Sequence, residues 1–233
     1  MKKISALLLA VSLLLSAAAC GASGKQEDNG SDGQTETENV VFKYGTVNGG
    51  VYENEIAGFG FRFDEYGLEE EPMGAYRDGT PAEEIAKNML GTLVVELHCK
   101  NKELVDENGN DLVMMIVTVN VQESEDKVPD YLQKQLDRTL EQYRSGKEPF
   151  AGYSINGDSV FSGSIGGKEY EAYEISVNDS AFGTNIVKRV YFARFGQYIY
   201  RITIDASNSD ESSSFDDLRR ETDALISGYF YAL

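Results

Sequence analysis

From residue 40 to the C-terminus the chain alternates apolar and polar positions in short runs. Three stretches interrupt that period of two with apolar residues spaced three and four apart. The alternating runs predict strands, and the interruptions predict amphipathic helices. Strands at 51–54 and 60–63 make a first hairpin, followed by an acid-rich turn region over 64–79. Thr80, Pro81 and Glu83 then supply an N-cap, a first-turn proline and the far half of a capping box. Ala82, Ile85, Ala86 and Met89 repeat at helical spacing until Gly91. Strands follow over 93–100 and 112–122, joined by a turn at Asn108-Gly109. The second of these is apolar on both faces, Met114 and Ile116 against Val113, Met115, Val117 and Val119, as suits a central strand covered on both sides.

Pro129 opens a second helix whose Leu132, Leu136, Leu140 and Tyr143 form one stripe, closed by Ser145-Gly146. Four strands come next, at 159–165, 168–177, 184–194 and 198–206. Their turns at Gly166-Gly167 and Phe195-Gly196-Gln197 are short enough to demand antiparallel hairpins. A last helix over 215–229 sets Phe215, Leu218, Thr222, Leu225, Ile226 and Tyr229 on one face. Hairpin-linked strands with helices between them predict an α+β domain over 45–233, an antiparallel β-sheet flanked by helices with an N-terminal β-hairpin.

The first 39 residues follow a different pattern. Lys2-Lys3, an apolar run from Ile4 to Leu15 and Ala17-Ala18-Ala19-Cys20 are the basic region, apolar region and small-residue cleavage site of an export signal, which places a signal peptide at 1–19. The apolar run is short of the roughly 20 residues a membrane span needs. Ala17-Ala18-Ala19-Cys20 resembles the bacterial lipobox, which implies that Cys20 becomes the first mature residue and carries a diacylglycerol thioether, often with an added N-acyl group. Two or three acyl chains, at about 0.8 kcal/mol per buried methylene, make such an anchor effectively permanent. Residues 21–39 hold no aromatic or branched aliphatic side chain, so 20–44 reads as a lipidated cysteine and a disordered leash, with a root-mean-square span of roughly 25 Å. The expected location is the outer face of the bacterial cytoplasmic membrane, with the lipid bilayer as partner through acylated Cys20.

Charge narrows the partners. With 39 acidic and 21 basic residues the chain carries a formal −18, and loss of Lys2 and Lys3 makes the mature form more negative by two. Such a polyanion repels phosphate backbones, which excludes unaided nucleic-acid binding. A single His and two Cys exclude multi-His and multi-Cys zinc sites, haem and iron–sulfur clusters. With Cys20 lipidated, Cys99 has no disulfide partner. It alternates in phase with Leu93, Val95 and Leu97 and is expected on a buried strand face as a small hydrophobe.

Three hairpins carry a family resemblance. Gly45, Val51-Tyr52-Glu53-Asn54-Glu55 and Gly58-Phe59-Gly60-Phe61-Arg62-Phe63 form the first. The second is Ser164-Ile165-Gly166-Gly167-Lys168-Glu169-Tyr170-Glu171-Ala172-Tyr173. The third runs from Val190-Tyr191-Phe192 through Gly196-Gln197 to Ile202-Thr203-Ile204. In order and spacing they resemble the PsbP-like lipoproteins common in Gram-positive bacteria. The resemblance implies an α/β/α sandwich used as an accessory or interaction module, with no one chemistry attached.

The candidate chemistries are few. Gly157-Asp158-Ser159 echoes one esterase family, but the base for Ser159 would have to be His98, the only histidine, and Asn156-Gly157-Asp158 reads more simply as a β-turn. Gly163 to Lys168 resembles a phosphate loop one residue short, with Glu169 where Ser or Thr is required. Two acidic groups could hold calcium or another divalent cation: Asp106, Asn108 and Asp111 at the Asn-Gly turn, and Asp205, Asp210 and Glu211 with Asp216 and Asp217 near the last helix. The first lacks EF-hand spacing, and the acids of the second also suit a helix N-terminus. His98 is placed opposite Leu97 and Cys99, in phase with Glu96 and Lys100, as a surface or helix-covered strand histidine. No cofactor is predicted and no catalytic residue is assigned. The chain reads as a membrane-anchored, extracytoplasmic, non-enzymatic binding or accessory module for a protein or envelope component. A divalent-cation-binding accessory protein is the alternative, and a hydrolase with an unrecognised site the second.

Overall fold

Two antiparallel sheets carry the chain, and the larger is built from the long hairpins foreseen in the alternating runs. The computed structural model describes residues 40–71, 93–102, 113–181, 183–208 and 214–233. In chain order the elements are β1 (Thr46–Asn48), β2 (Val51–Asn54), β3 (Phe59–Phe61), β4 (Leu68–Glu70), β5 (Val94–Asn101), β6 (Met114–Glu123), α1 (Val128–Arg144), β7 (Tyr153–Ile165), β8 (Lys168–Asp179), β9 (Thr184–Phe195), β10 (Tyr198–Asn208), α2 (Phe215–Tyr229) and β11 (Phe230–Ala232). The helix expected over 80–91 and the turn at Asn108-Gly109 lie outside the described residues.

Strands β4-β5-β6-β10-β9-β8-β7, in that spatial order, form the seven-stranded sheet, and β1-β2-β3-β11 form a four-stranded one. The α+β architecture is as the sequence predicts. One face of the large sheet meets the small sheet and α2, burying Tyr52, Phe59 and Phe61 with Val117, Val119, Tyr200, Ile202, Leu218 and Leu225. The other face meets α1, whose Leu132, Leu136, Leu140 and Tyr143 pack on Ile175, Ile186, Val190, Phe192 and Ile199. Each such side chain contributes about 1.5–3 kcal/mol of transfer free energy, so the stripe read from the sequence is what fixes α1 to the sheet. Central β6 is buried on both faces, as expected.

Helix α1 begins at Val128, one residue before Pro129, and stops where Gly146 takes a φ of +61°. Helix α2 is fixed by a reciprocal capping box. The Ser214 hydroxyl accepts from the Asp217 amide, and the Asp217 carboxylate accepts from the Ser214 amide at 3.0 Å. The Ser214 hydroxyl, which also donates to the Asp217 carboxylate at 2.8 Å, and the Ser214 amide, with Arg220 adding to them, hold that carboxyl below its ordinary pKa. At the β7–β8 turn Gly166 and Gly167 have φ values of +57° and +77°, the signs a type I′ turn requires. A Cβ on Gly166 would stand 2.8 Å from the Tyr231 carbonyl oxygen, because this turn abuts the small sheet.

Several local expectations are corrected. The region 64–79 is not all turn: Leu68–Glu70 pairs with β5, and Leu68 is fully buried. The turn expected at Asn156-Gly157-Asp158 is strand, since β7 starts at Tyr153 and a register shift between Ile155 and Gly157 absorbs Asn156 as a bulge. Turn-type residues are tolerated there because β7 is an edge strand. A second bulge, between Val95 and Leu97, breaks the phase assumed for β5. Val95 therefore pairs with Asn120 on the α1 side, while Leu97 and Cys99 pair with Val119 and Val117 on the other. Cys99 is fully buried, as expected, but Glu96 is not in phase with His98. Glu96 turns toward the small sheet, where its Oε2 accepts from the Tyr52 hydroxyl, the Asn54 amide at 2.8 Å and the Gly45 amide at 3.2 Å. Burial, and then Glu96, push the Tyr52 hydroxyl well above its ordinary pKa.

Packing begins ahead of residue 45. Phe42 is buried against Tyr198, and the Gln197 side chain clasps the Val40 backbone, its Nε2 donating to the Val40 carbonyl at 2.8 Å and its Oε1 accepting from the Val40 amide at 3.3 Å.

Candidate functional site

On the α1 side of the large sheet the apolar pattern gives way to polar residues in matching register. Asn120 of β6 lies beside Arg201 of β10, Thr118 beside Thr203, and Asp205 beside Lys188 of β9. These positions alternate with the core residues Val117, Val119 and Val121 on one strand and Ile202 and Ile204 on the other, so the strand period itself directs them to this face. Helix α1 covers them with a second stripe beside its leucines: Gln135, Arg138, Thr139 and Gln142, spaced i, i+3, i+4, i+7. Between the stripe and the sheet is a cavity of about 20 Å³, lined by these residues and by Tyr173 and Val190. A space of this size takes one water or the end of one polar group.

The hydrogen-bond inventory of the cavity is uneven. Lys188 Nζ donates to both oxygens of Asp205, at 2.7 and 3.0 Å. Thr139 Oγ1 donates to the Gln135 carbonyl at 2.8 Å and lies 3.3 Å from the Tyr173 hydroxyl. Burial raises the Tyr173 hydroxyl to about 12, so it remains protonated at neutral pH. By contrast, both amide atoms of Asn120, Nε of Arg201 and Oε1 of Gln142 are buried without a hydrogen-bond partner. Asn120 is 1% exposed, and an orphaned buried polar group of this kind typically costs about 1–3 kcal/mol. Four such atoms at one cavity mark a site shaped for something other than its own side chains. Arg138, Lys188 and Arg201 against Asp205 give the lining a formal excess of two positive charges, in a chain of −18.

His98 adjoins this site through Thr118, its Nδ1 lying 3.0 Å from Thr118 Oγ1. Glu71 is 3.8 Å from Nε2, which has no hydrogen-bond partner. Burial lowers the His98 pKa below its ordinary 6.5, outweighing the opposing pull of Glu71 and Asp205. The unfolded chain therefore takes up a proton at a pH where the folded chain does not. Stability is complete above about pH 6.5 and falls as the pH drops below it, by at most about 1.4 kcal/mol per pH unit for one proton. Urea unfolding of His98→Gln should show a flatter dependence between about pH 7 and 5.5. A slope equal to that of the parent chain would contradict this assignment.

The other sequence candidates are not brought together here. Ser159 lies on edge strand β7, five strand spacings from β5, or roughly 24 Å, and its cross-strand partner Glu174 faces α2 rather than α1. It therefore does not meet His98. Asp205 is engaged by Lys188 on the α1 face, whereas Asp216 and Asp217 belong to α2 across the sheet, paired with Arg219 and Arg220. Asp106, Asn108, Asp111, Asp210, Glu211 and Cys20 lie outside the described residues. Among the described residues no three His, Cys, Asp or Glu side chains are grouped to hold a metal ion, and no helix is long and apolar enough to cross a membrane. The polar pocket itself was missed by sequence reasoning. Its signal was the shared phase of Thr118 and Asn120 with Arg201 and Thr203, which becomes visible only once β6 is known to pair with β10.

No family model matches the chain, and no curated protein matches it. Among solved structures it is similar to LpqN, involved in cell envelope biogenesis of Mycobacterium tuberculosis, at 11% identity over 70% of this chain and 90% of that one, with a TM-score of 0.39. It is also similar to cyanobacterial PsbP (CyanoP) from Synechocystis sp. PCC 6803, at 15% identity over 88% of this chain and 98% of that one, with a TM-score of 0.45.

Proposed function

We propose that this chain is an extracytoplasmic accessory module, non-enzymatic and tethered through acylated Cys20, that binds a component of the cell envelope in the polar pocket beneath α1. One observation carries the reading. Asn120, Arg201 and Gln142 line one cavity and carry unpartnered buried polar atoms, whereas Ser159 and His98, the pair a hydrolase would need, lie on strands five spacings apart. The pocket offers hydrogen bonds and positive charge, and its tyrosine is too weak an acid to act as a base near neutral pH. That is the equipment of recognition more than of bond cleavage. The export signal and leash supply the address.

In-cell crosslinking of the full-length lipoprotein with mass spectrometry of the adducts tests this reading, using Cys20→Ala as the control that loses the anchor. The expected result is a reproducible, anchor-dependent adduct mapping to α1 or to β6 and β10. Adducts equally abundant in the Cys20→Ala chain, or confined to the α2 face, would refute it.

A further inference from the structure

The unmet groups of the pocket are chemically specific. Two are donors, Arg201 Nε and Asn120 Nδ2, and two are acceptors, Asn120 Oδ1 and Gln142 Oε1. The donors sit with the charge excess: neither Arg138 nor Arg201 has a carboxylate within ion-pair distance among the described residues, while Lys188 is neutralised by Asp205. A ligand that satisfies all of this brings an oxyanion for the guanidinium groups and two hydroxyls, one to donate to each amide oxygen. A bare oxyanion leaves Asn120 Oδ1 and Gln142 Oε1 unmet, and a neutral alcohol leaves two cationic side chains without a counter-charge. The cavity of about 20 Å³ admits only one hydroxyl of such a molecule, with the phosphate outside it on Arg138 and Arg201, which are half-exposed.

We infer that the pocket binds the phosphate ester of a small polyhydroxy alcohol, its phosphate beside Arg201 and Arg138 and its hydroxyls donating, one each, to the Asn120 and Gln142 side chains. A phosphate monoester carries about −1.5 to −2 at neutral pH, which matches the excess of two positive charges in the lining. The inference rests on the pocket reading above and adds a ligand class to it. Such a group can come from a free metabolite, as the monoester, or from a phospholipid headgroup, as a diester whose single negative charge meets half of that excess, and the two sources are separable.

Calorimetric titration of the full-length chain with glycerol phosphate is the primary test, with glycerol and inorganic sulfate as separate arms for the two halves of the ligand. Cosedimentation of the Cys20→Ala chain with phosphatidylcholine vesicles, with and without phosphatidylglycerol, reports the headgroup source without insertion of the protein's own anchor. Saturable binding of glycerol phosphate is expected, weakened at least about tenfold by Arg201→Gln and about threefold by Arg138→Gln, with glycerol and sulfate each much weaker. Arg138 is at the helix surface, so its variant remains informative if Arg201→Gln fails to fold. Binding to phosphatidylglycerol vesicles that is lost in Arg201→Gln supports the same site with the headgroup as source. No binding of any phosphate ester up to millimolar concentration, or binding unchanged by both arginine variants, overturns the inference. A neutral ligand that needs Asn120 but neither arginine also overturns it, while leaving the pocket as a binding site.

Discussion

Deleting residues 230–233 should lower the free energy of unfolding by at least about 4 kcal/mol, because those residues close the small sheet and fill its core. Strand β11 pairs with β3 from Phe230↔Phe61 to Ala232↔Phe59, and the Leu233 amide donates to the Gly58 carbonyl at 3.2 Å. The Phe230 ring stacks on Phe61 with centroids 4.2 Å apart and planes within 7°, and contacts Phe59 at 5.8 Å. Loss of a buried phenylalanine alone typically costs about 3–5 kcal/mol, and the deletion also strips β3 of its outer hydrogen-bonding partner. In a chain of this size the midpoint of thermal unfolding should fall by about 8–16 °C. Phe230→Ala should reproduce most of the loss. A deletion variant within about 1 kcal/mol of the parent in urea unfolding would show that the small sheet does not depend on its last strand.

Glu174→Ala should destabilise the fold by about 3 kcal/mol, through the guanidinium groups it leaves behind. Glu174 joins α2 to the sheet: its Oε2 accepts from Arg189 Nε at 2.6 Å and its Oε1 from Arg219 Nε at 2.7 Å. Arg189 is buried and lies over the Phe161 ring, so removing Glu174 leaves its Nε without a carboxylate while only Asp223 remains on its other side. Arg219 retains Asp216 and the Ser176 hydroxyl, which keeps the effect toward the lower end of the usual range for breaking a buried pair. A double-mutant cycle with Arg189→Ala should give a coupling of at least about 1 kcal/mol. Additive single effects would mean that the contact is geometric only.

These two sites show where the sequence was readable. Helix α2 is legible over its observed residues, because a stripe at 218, 222 and 225 leaves a clear pattern. Strand β11 was invisible: helix α2 runs straight into it at Phe230, with no Gly or Pro between them, and three residues are too few to reveal alternation. Strand β4 was hidden for a similar reason, with Leu68 its only large apolar residue amid acids. The first half of β7 was read as a turn because Asn, Gly and Asp are turn residues, yet on a sheet edge they cost little. The ladders β7–β8 and β9–β10 were legible because their connections are local. The pocket was not, since it depends on β6 lying beside β10, a pairing separated by the whole of α1, β7, β8 and β9. Charge conveyed the wrong emphasis: a chain of −18 points to its acids, while the cavity beneath α1 is lined by Arg138, Lys188 and Arg201 against a single acid, Asp205.

The clasp of Val40 by Gln197 sets the working distance of that pocket. Whatever precedes residue 40 leaves the domain at the β9–β10 turn, and Arg201 stands four residues along β10 from Gln197, or about 13 Å. If the chain is anchored at Cys20 as proposed, the segment ahead of residue 40 would set the span from bilayer to pocket, and not the length of the domain. A ligand borne on that membrane would then meet the pocket at a local concentration set by that segment, of the order of millimolar for a short linker. At such a concentration even a weak site is occupied, and lengthening the segment ahead of residue 40 should dilute the encounter while leaving the site itself untouched.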